Sequence, residues 1–345
     1  MKDVEQIARV LAADSGAGPV HRIVPLKGGG NNRVYLVEAD SKLLLKLYFH
    51  HADDTRNRLE SEFFFSRFAW NHGVRGLPQP LACDVERRAG LYEFIDGRLL
   101  TLDEITEERV AEALDFFCEI NVRRFEGNDL PNASEACFSI SQHLKCVEHR
   151  VERLRQIERS TESQRDASDL VESQLLPVWS TIAKAASLKA RDLAPQREVA
   201  ADERCLSPSD FGFHNAICGD DDRLRFIDFE YSGWDDPAKM VCDFFCQPSH
   251  PVPRRMMGEF IQTLGGRFPD LENLTRRIEI LFPVYQLKWC CILFNEFVPT
   301  SRARRRFADE SISQSSRERR QVEKVRHVLG ELRHEADSSQ VMLQT

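Results

Sequence analysis

The pattern of hydrophobic and polar positions divides this chain of 345 residues into a strand-rich beginning and a helical remainder. Five short apolar runs bounded by turn residues predict strands at about residues 22–27, 33–38, 42–48, 81–84 and 90–94. Helical spacing predicts a short amphipathic helix over 3–13 and a longer helix over 55–71. The beginning of the chain is therefore expected to form a small antiparallel sheet with one main helix.

Beyond residue 103, apolar positions recur every three or four residues, which is the period of an amphipathic helix. Helices are predicted at about 103–125, 138–158, 168–190, 254–265, 270–280, 283–297 and 311–334. A further helix is expected to be capped by Asp236 and to begin at Pro237. The polar stretch 160–168 is expected to separate two helices, and residues 336–345 are expected to be disordered. The whole pattern predicts an α+β fold.

The most informative stretch lies between Leu206 and Pro237, where acidic residues stand among apolar ones. A polar turn carries Asp210 and, five residues later, Asn215, and a short strand then leads to Asp228. A lone buried charge is costly, so such carboxylates are paired, hydrogen-bonded or bound to a cation. Phosphoryl transfer needs this set of groups, because one carboxylate accepts the proton of the attacking hydroxyl while other oxygens hold Mg²⁺.

A second candidate site lies in the predicted sheet. Gly28, Gly29 and Gly30 are followed by Asn31, and Lys46 lies inside an apolar strand. Glycines let backbone amides approach phosphate oxygens, although a plain flexible hairpin is the alternative interpretation of this loop. A lysine in an apolar strand needs an anionic partner, so Lys46 favours phosphate binding.

In their order and spacing, these elements resemble the aminoglycoside phosphotransferase and choline kinase superfamily. That family has His-Gly-Asp-x4-Asn, then Ile-Asp-x-Glu, then Asp-Pro; the matching residues here are Asp210, Asn215, Ile227, Asp228, Glu230, Asp236 and Pro237. The spacing of Gly28, Gly29, Asn32 and Tyr35 is similar to the family's phosphate loop. Pro208 and Ser209 stand where the family usually has His and Gly, which leaves the subfamily open.

The resemblance implies a bilobal, protein-kinase-like α+β fold and a role for each matched residue. Asp210 would be the catalytic base, and Asn215 and Asp228 would bind Mg²⁺. The glycine loop and Lys46 would hold the phosphates of ATP, with GTP as an alternative nucleotide. A glutamate on the helix over 55–71 would hold Lys46 in place, and Glu62 is the first choice with Glu60 as the second.

Glu93, Phe94 and Ile95 resemble the hinge of this family, where backbone groups bind the edge of adenine. The resemblance therefore implies a nucleotide-binding lobe over 1–95 and a catalytic and substrate lobe over 96–335. The acceptor is expected to be a hydroxyl of a small molecule such as a sugar, an amino alcohol or an aminoglycoside-like compound. Glu230 is assigned a supporting role.

Composition and charge argue against several other classes of protein. The formal net charge of −8 argues against nucleic-acid binding. No apolar run approaches the roughly 20 residues of a membrane span, and the first residues lack the apolar segment of a signal peptide. The ten cysteines show no zinc-type spacing, so they are expected to be reduced, mostly buried thiols of a cytoplasmic protein.

Two other functions stay open at this point. A protein kinase would carry His-Arg-Asp before the catalytic loop and a longer segment after Asp228, and neither pattern is present. A catalytically impaired, nucleotide-binding regulatory module would explain Pro208 and Ser209, but not the intact Lys46 and Asp210.

The sequence leaves the oligomeric state open, and it offers two interpretations of a basic run near the end of the chain. The run comprises Arg302, Arg304, Arg305 and Arg306. A charged loop is expected there, with anion binding as the alternative.

Overall fold

The computed structural model describes residues 2–26, 31–52, 54, 56–308 and 313–343, and its first part is built on a five-stranded sheet. The strands are β1 (Arg22–Leu26), β2 (Arg33–Glu38), β3 (Lys42–Leu47), β4 (Pro80–Asp84) and β5 (Ala89–Glu93). Their order is β1-β2-β3-β5-β4, and all neighbours are antiparallel. The predicted sheet is confirmed, and β3, which carries Lys46, lies at its centre.

Two helices pack against this sheet. The first, α1 (Lys2–Ser15), buries Ile7, Ala8 and Leu11 in one hydrophobic cluster with the sheet. The second, α2 (Arg58–Asn71), begins where the Asn57 side chain accepts a hydrogen bond from the amide of Glu60. This cap satisfies a backbone donor that the first turn of a helix leaves free. The two predicted helices are therefore present, and α2 begins three residues later than expected.

The rest of the chain is mostly helical and holds two small sheets. The helices before the last segment are α3 (Glu107–Val122), α4 (Ile140–Leu154), α5 (Glu162–Leu170), α6 (Leu176–Lys189), α7 (Pro237–Cys246), α8 (Met257–Leu264) and α9 (Leu271–Leu293). The strands are β6 (Gly97–Leu99), β7 (Cys205–Ser207), β8 (Ala216–Gly219), β9 (Leu224–Phe226) and β10 (Gly233–Asp235). They pair as β6-β8-β9 and β10-β7. The α+β fold is confirmed.

Two predicted interruptions between helices differ from the structure. The polar residues 162–168 belong to α5, because Thr161 and Gln164 form a capping box and Ala167 is fully buried. The predicted break before Pro283 is wrong, because α9 continues through this proline. Proline removes one helical hydrogen bond, but the core contacts of the fully buried Leu281 and Val284 on either side outweigh that loss.

The last helices turn back towards the sheet. The basic run lies on α10 (Pro299–Ala308), so the predicted charged loop is wrong. Arginine has a high helix propensity, so a run of four arginines is compatible with a helix. Arg33 of β2 donates to the carbonyl of Phe307 at 2.9 Å, and Phe49 contacts the Phe307 ring edge-on. The final helix, α11 (Gln314–Leu343), includes residues 336–343, which the sequence analysis expects to be disordered.

The state of the cysteines and the apolar character of the helices can both be compared with the predictions. The ten cysteines are free thiols, and seven of them are buried, as expected from the sequence. Within the described part of the chain, no helix has the combination of length and apolar character needed to cross a membrane.

Candidate active site

A β-hairpin brings the two predicted metal ligands together. Strands β8 and β9 are antiparallel, with Ala216 opposite Phe226. Asn215 immediately precedes β8 and Asp228 follows β9, so the register places them at the same end of the hairpin. The amide of Ile227 donates to the carbonyl of Asn215 at 2.9 Å, which extends the pairing by one residue towards Asp228.

The turn before this hairpin positions Asp210. The side-chain amide of Asn215 donates to the backbone carbonyl of Asp210 at 3.0 Å. The next residue, Phe211, is buried and stacks on Phe116 and Phe244, with ring centroids 5.9 and 5.2 Å apart. Apolar packing on one side and the Asn215 bond on the other therefore fix the loop that carries the carboxylate.

His214 is a site residue that the sequence analysis missed. Its Nε2 lies 3.2 Å from Oδ1 of Asp210, while its Nδ1 is buried without a partner among the described residues. Burial opposes ionisation of Asp210, but His214 and then Lys288 hold the pKa of this carboxyl below its ordinary value. The signal in the sequence is a histidine four residues after Asp210, which a turn of helix-like backbone brings alongside it.

Lys46 joins the sheet to the hairpin. Its ammonium group lies 2.6 Å from Glu62 of α2 and 2.5 Å from Asp228. Burial alone would lower the pKa of Lys46, but Asp228 and Glu62 raise it well above its ordinary value, so the lysine stays charged. Glu62 is fixed further by a 2.8 Å hydrogen bond from the Tyr48 hydroxyl. The predicted contact between Lys46 and Glu62 is thus present, and Glu60 takes no part in it.

Glu230 connects the phosphate-loop region to the hairpin. Its carboxylate accepts hydrogen bonds of 2.6 Å from both Asn31 and Asn32 and lies 3.6 Å from the guanidinium of Arg58. The Glu230 side chain is fully buried. A buried carboxylate needs such partners, so Glu230 holds Asn31 and α2 next to the segment that carries Asp228.

Two other segments, the glycine loop and the residues after β5, are predicted to contact the nucleotide. Gly28, Gly29 and Gly30 lie outside the described residues. Glu93 ends β5, and the amide of Phe94 donates to the carbonyl of Lys42 at 3.4 Å. Within the described ranges no hydrogen-bond partner is recorded for the amide of Ile95, which lies just beyond the end of β5.

The donor set fits magnesium. Because the Asn215 amide nitrogen donates to Asp210, its oxygen is the side-chain atom that would bind a metal. Asp228 contacts Lys46 through Oδ1 only, and its side chain is 29% exposed. Amide and carboxylate oxygens suit Mg²⁺, which binds through one or two protein ligands, water and substrate phosphates. Among the residues described here, no group of three or more acidic, histidine or cysteine side chains could hold a metal alone.

Comparisons with known proteins identify the family and the fold of the chain. The sequence model of the phosphotransferase enzyme family matches residues 22–266. No curated protein matches the sequence. Among solved structures, a choline/ethanolamine kinase family protein from Mesorhizobium loti has 15% identity and a TM-score of 0.58, covering 95% of each chain. A spectinomycin phosphotransferase complex with ADP and spectinomycin has 12% identity and a TM-score of 0.61, covering 95% of this chain and 98% of that one.

A Plasmodium vivax ethanolamine kinase has 14% identity and a TM-score of 0.56, covering 88% of this chain and 81% of the other. At these identities the structural likeness establishes the fold. The family match covers well over half of the chain and includes every residue of the candidate site.

Proposed function

Because the chain belongs to the phosphotransferase enzyme family, we propose that it is a kinase that transfers the γ-phosphoryl group of ATP to a hydroxyl of a small molecule. The observation that carries this proposal is the convergence of Asp210, Asn215 and Asp228 at one end of the β8–β9 hairpin, with Lys46 on Asp228. The named relatives phosphorylate or bind small hydroxyl compounds, which supports a sugar, an amino alcohol or an aminoglycoside-like acceptor.

Asp210 is the base in this proposal. His214 engages Oδ1, which leaves Oδ2 to accept a hydrogen bond from the acceptor hydroxyl. As the hydroxyl oxygen forms its bond to the γ-phosphorus, the bond from phosphorus to the leaving oxygen of ADP breaks and the hydroxyl proton passes to Asp210. The lowered pKa of Asp210 keeps it ionised and ready for this proton at neutral pH.

The remaining residues bind and position the phosphates. Asn215 and Asp228 would hold Mg²⁺, which neutralises charge on the β- and γ-phosphates when it is bound. Lys46, aligned by Glu62, would contact the phosphates, and Asn31 stands at the end of the glycine loop that would cover them. The amide of Ile95, which has no partner among the described residues, would bind the adenine edge. Most of the rate gain comes from positioning and charge neutralisation.

The chain between Asp228 and α7 argues for a small acceptor. Strand β10 begins at Gly233, five residues after Asp228, and α7 begins at Pro237. Protein kinases place a longer regulatory segment at this point, to which a protein substrate binds. The short connection here leaves an acceptor site lined by side chains of the helices.

The roles of the two carboxylates can be separated by substitution. Asp210→Asn should lower ADP release from Mg·ATP by at least about 100-fold, because general-base catalysis contributes that much, while Mg·ATP still raises the melting temperature. Asp228→Asn should lose both ADP release and the Mg²⁺-dependent part of that thermal shift. Asp220→Asn, an exposed change in the turn of the same hairpin, is the matched control and should behave as the wild type.

Near-normal ADP release in both site variants would contradict the proposal. If the wild-type protein shows no thermal shift with Mg·ATP, the chain is not an ATP-dependent kinase.

A further inference from the structure

Several arginines gather around one tyrosine next to the candidate site. The guanidinium groups of Arg56 and Arg58 lie over the ring of Tyr231, 5.5 and 5.8 Å from its centroid. Arg304 of α10 donates to the Tyr231 hydroxyl at 3.1 Å. Three cations from two distant parts of the chain thus surround a single phenol, and the proposed reaction does not use them.

Helix α4 adds two more cations to this group. Arg150 pairs with Glu135 at 2.5 Å, and Arg153 follows one turn later. Partial desolvation of the exposed Arg153 side chain lowers its pKa, and Arg150, Arg56 and Arg304 lower it further despite Glu135. This repulsion is consistent with one region shared by the arginines of α4, α10 and the start of α2. We call this group of Arg56, Arg58, Arg150, Arg153 and Arg304 the arginine cluster.

The cluster has more positive charge than its carboxylates neutralise. Asp54 accepts from both Arg56 and Arg58, Glu230 lies 3.6 Å from Arg58, and Glu135 pairs with Arg150, so three carboxylates face five arginines. Within the described ranges, neither Arg153 nor Arg304 forms an ion pair.

Arg304 is the member of the cluster that most favours an anionic partner. It is only 8% exposed, and its Nε has no hydrogen-bond partner among the described residues. A buried guanidinium without a counter-charge is unfavourable, so the site is completed when an anion binds.

The position of the cluster connects it to the acceptor side of the candidate site. Asn31 donates to Glu230 and also lies 3.3 Å from the Tyr231 hydroxyl, which puts the cluster next to the phosphate loop. On the other side, Lys288 is near enough to Asp210 to lower its pKa, and it also acts on Glu135, the partner of Arg150. The cluster therefore extends from the start of α2, which also carries Glu62, to α4 and α10 in the helical part of the chain.

We propose that the acceptor of this kinase is an anion, a hydroxyl compound that also carries a carboxylate or phosphate group, and that the arginine cluster binds that group. The inference rests on the proposed function, because it concerns the second substrate of the same site. Arg304 and Arg153 supply the unpaired charge, and the planar guanidinium of Arg304 offers a two-pronged contact to the anion. The hydroxyl of the bound compound then faces Asp210.

Inorganic sulfate is a suitable probe because it carries the charge without the rest of the acceptor. The full-length protein is first saturated with Mg²⁺ and a non-hydrolysable ATP analogue, so that the nucleotide phosphate positions are occupied. Sodium sulfate is then added, and melting temperatures are compared with sodium chloride at equal ionic strength. We expect a saturable stabilisation by sulfate beyond that by chloride, since a ligand of the folded state raises its stability.

Two variants test whether the cluster is the binding site. Arg304→Gln and Arg153→Gln should each lose most of the sulfate shift while keeping the shift caused by the nucleotide analogue. Arg306→Gln and Arg155→Gln are the matched controls, because Arg306 is exposed on the same α10 and Arg155 is exposed next to the end of α4. Arg153 is itself exposed, so its replacement leaves folding intact even if the Arg304 variant is unstable.

The outcomes separate the inference from the proposed function. Failure of the nucleotide analogue to shift the melting temperature would overturn the proposed function. A normal nucleotide shift with no sulfate effect, or an equal sulfate effect in Arg153→Gln and its control, would overturn the anionic acceptor alone.

A set of matched acceptors gives a second readout. D-glucuronate, D-glucose and D-glucosamine share a pyranose scaffold and differ in charge, and D-glycerate, glycerol and serinol share a three-carbon scaffold and differ in the same way. Among compounds that stimulate ADP release, we expect the anionic member of a set to have the highest kcat/KM, with the advantage lost in Arg304→Gln. A cationic member with the highest kcat/KM would contradict the proposal.

Discussion

Two carboxylates of the candidate site have backbone conformations that ordinary residues avoid. Asp210 and Asp228 have φ angles of 40° and 68°, and Ser209 has 46°. Each left-handed residue without a glycine costs about 1–3 kcal/mol, and such strain persists only where the surroundings enforce it. Glycine would adopt these angles freely but would supply no carboxylate. The backbone strain is therefore an energetic cost of having carboxylates, and not glycines, at these two positions of the site.

His214 provides a prediction at the scale of single residues. Its contact with Oδ1 lowers the pKa of Asp210, and a base must be ionised to accept a proton. His214→Ala should therefore raise the pKa of Asp210 and move the acidic limb of the pH profile for ADP release to higher pH. His214→Gln, which keeps a hydrogen-bond donor, should recover part of the shift. An acidic limb that stays in place in both variants would contradict this role.

The spacing of residues in the sequence was enough to predict some residues of the site, but not others. Asp210, Asn215 and Asp228 could be predicted because a loop of fixed length and a short hairpin determine their separation. His214 lies four residues after Asp210, but this spacing alone does not give its role, since the role depends on a ring direction set by tertiary packing against Trp289, whose ring lies edge-on at 6.4 Å. Arg304 was visible only as part of a basic run, because its partner Tyr231 is 73 residues away.

At the scale of elements, α2 connects the sheet to the hairpin. Arg58 and Glu62 are four residues apart and so lie on one face of the helix. Glu62 holds Lys46, and Arg58 approaches the buried Glu230. The Ser232 hydroxyl also donates to the carbonyl of Ser61 at 3.0 Å. These contacts hold α2 in the position in which Glu62 binds Lys46.

Loss of Arg58 should destabilise the protein strongly. Arg58→Met removes a partner of two buried carboxylates, and breaking such a pair costs roughly 3–5 kcal/mol. Adding Glu230→Gln should recover part of this loss, because one uncompensated charge is then removed. Denaturant unfolding of both single variants and the double variant measures the coupling. Strict additivity would show that Arg58 and Glu230 do not interact.

Helix ends were harder to predict than helices. The sequence analysis ended a helix before Pro283, since a proline within a helix removes a hydrogen bond. Leu281 and Val284 have no exposure to solvent, and this burial could not be known from local sequence. Asp236, by contrast, could be predicted as a cap, because it directly precedes Pro237, and its side chain accepts from the amide of Ala238 at 2.8 Å.

At the scale of the whole molecule, Asp236 ties together three parts of the helical region. Beyond capping α7, its carboxylate accepts hydrogen bonds of 3.0 and 3.2 Å from Arg277 of α9 and lies 3.3 Å from His143 of α4. His143 in turn contacts the Tyr285 hydroxyl at 2.7 Å. Burial opposes the charge, but Arg277 and His143 lower the pKa of Asp236 to about 2.

This pKa predicts a specific dependence of stability on pH. A carboxyl with a depressed folded-state pKa stabilises the protein above its unfolded pKa of 3.8 and loses that contribution as pH falls towards about 2. The shift corresponds to about 2 kcal/mol. Asp236→Asn should be less stable than the wild type at pH 6, and the difference should shrink by about that amount at the acidic end. Denaturant unfolding across this range measures it; a constant difference would contradict the prediction.

The overall arrangement could be predicted from the order of the elements. A strand-rich beginning, a catalytic turn and a helical remainder are enough to indicate a kinase-like α+β fold, because local patterning and residue order agree. The return of α10 to the sheet could not be predicted, since a contact such as Arg33 with Phe307 leaves no trace in the spacing of nearby residues.

That return has a consequence for how the protein is made. Arg33 and Phe307 are 274 residues apart in the chain. At a synthesis rate of about 5–20 residues per second, roughly 14–55 seconds separate their addition on the ribosome. During this interval the sheet depends on its own hydrophobic cluster with α1, and Tyr231 lacks the helix that brings Arg304. The nascent chain therefore completes the core of its sheet first and the surroundings of Tyr231 last.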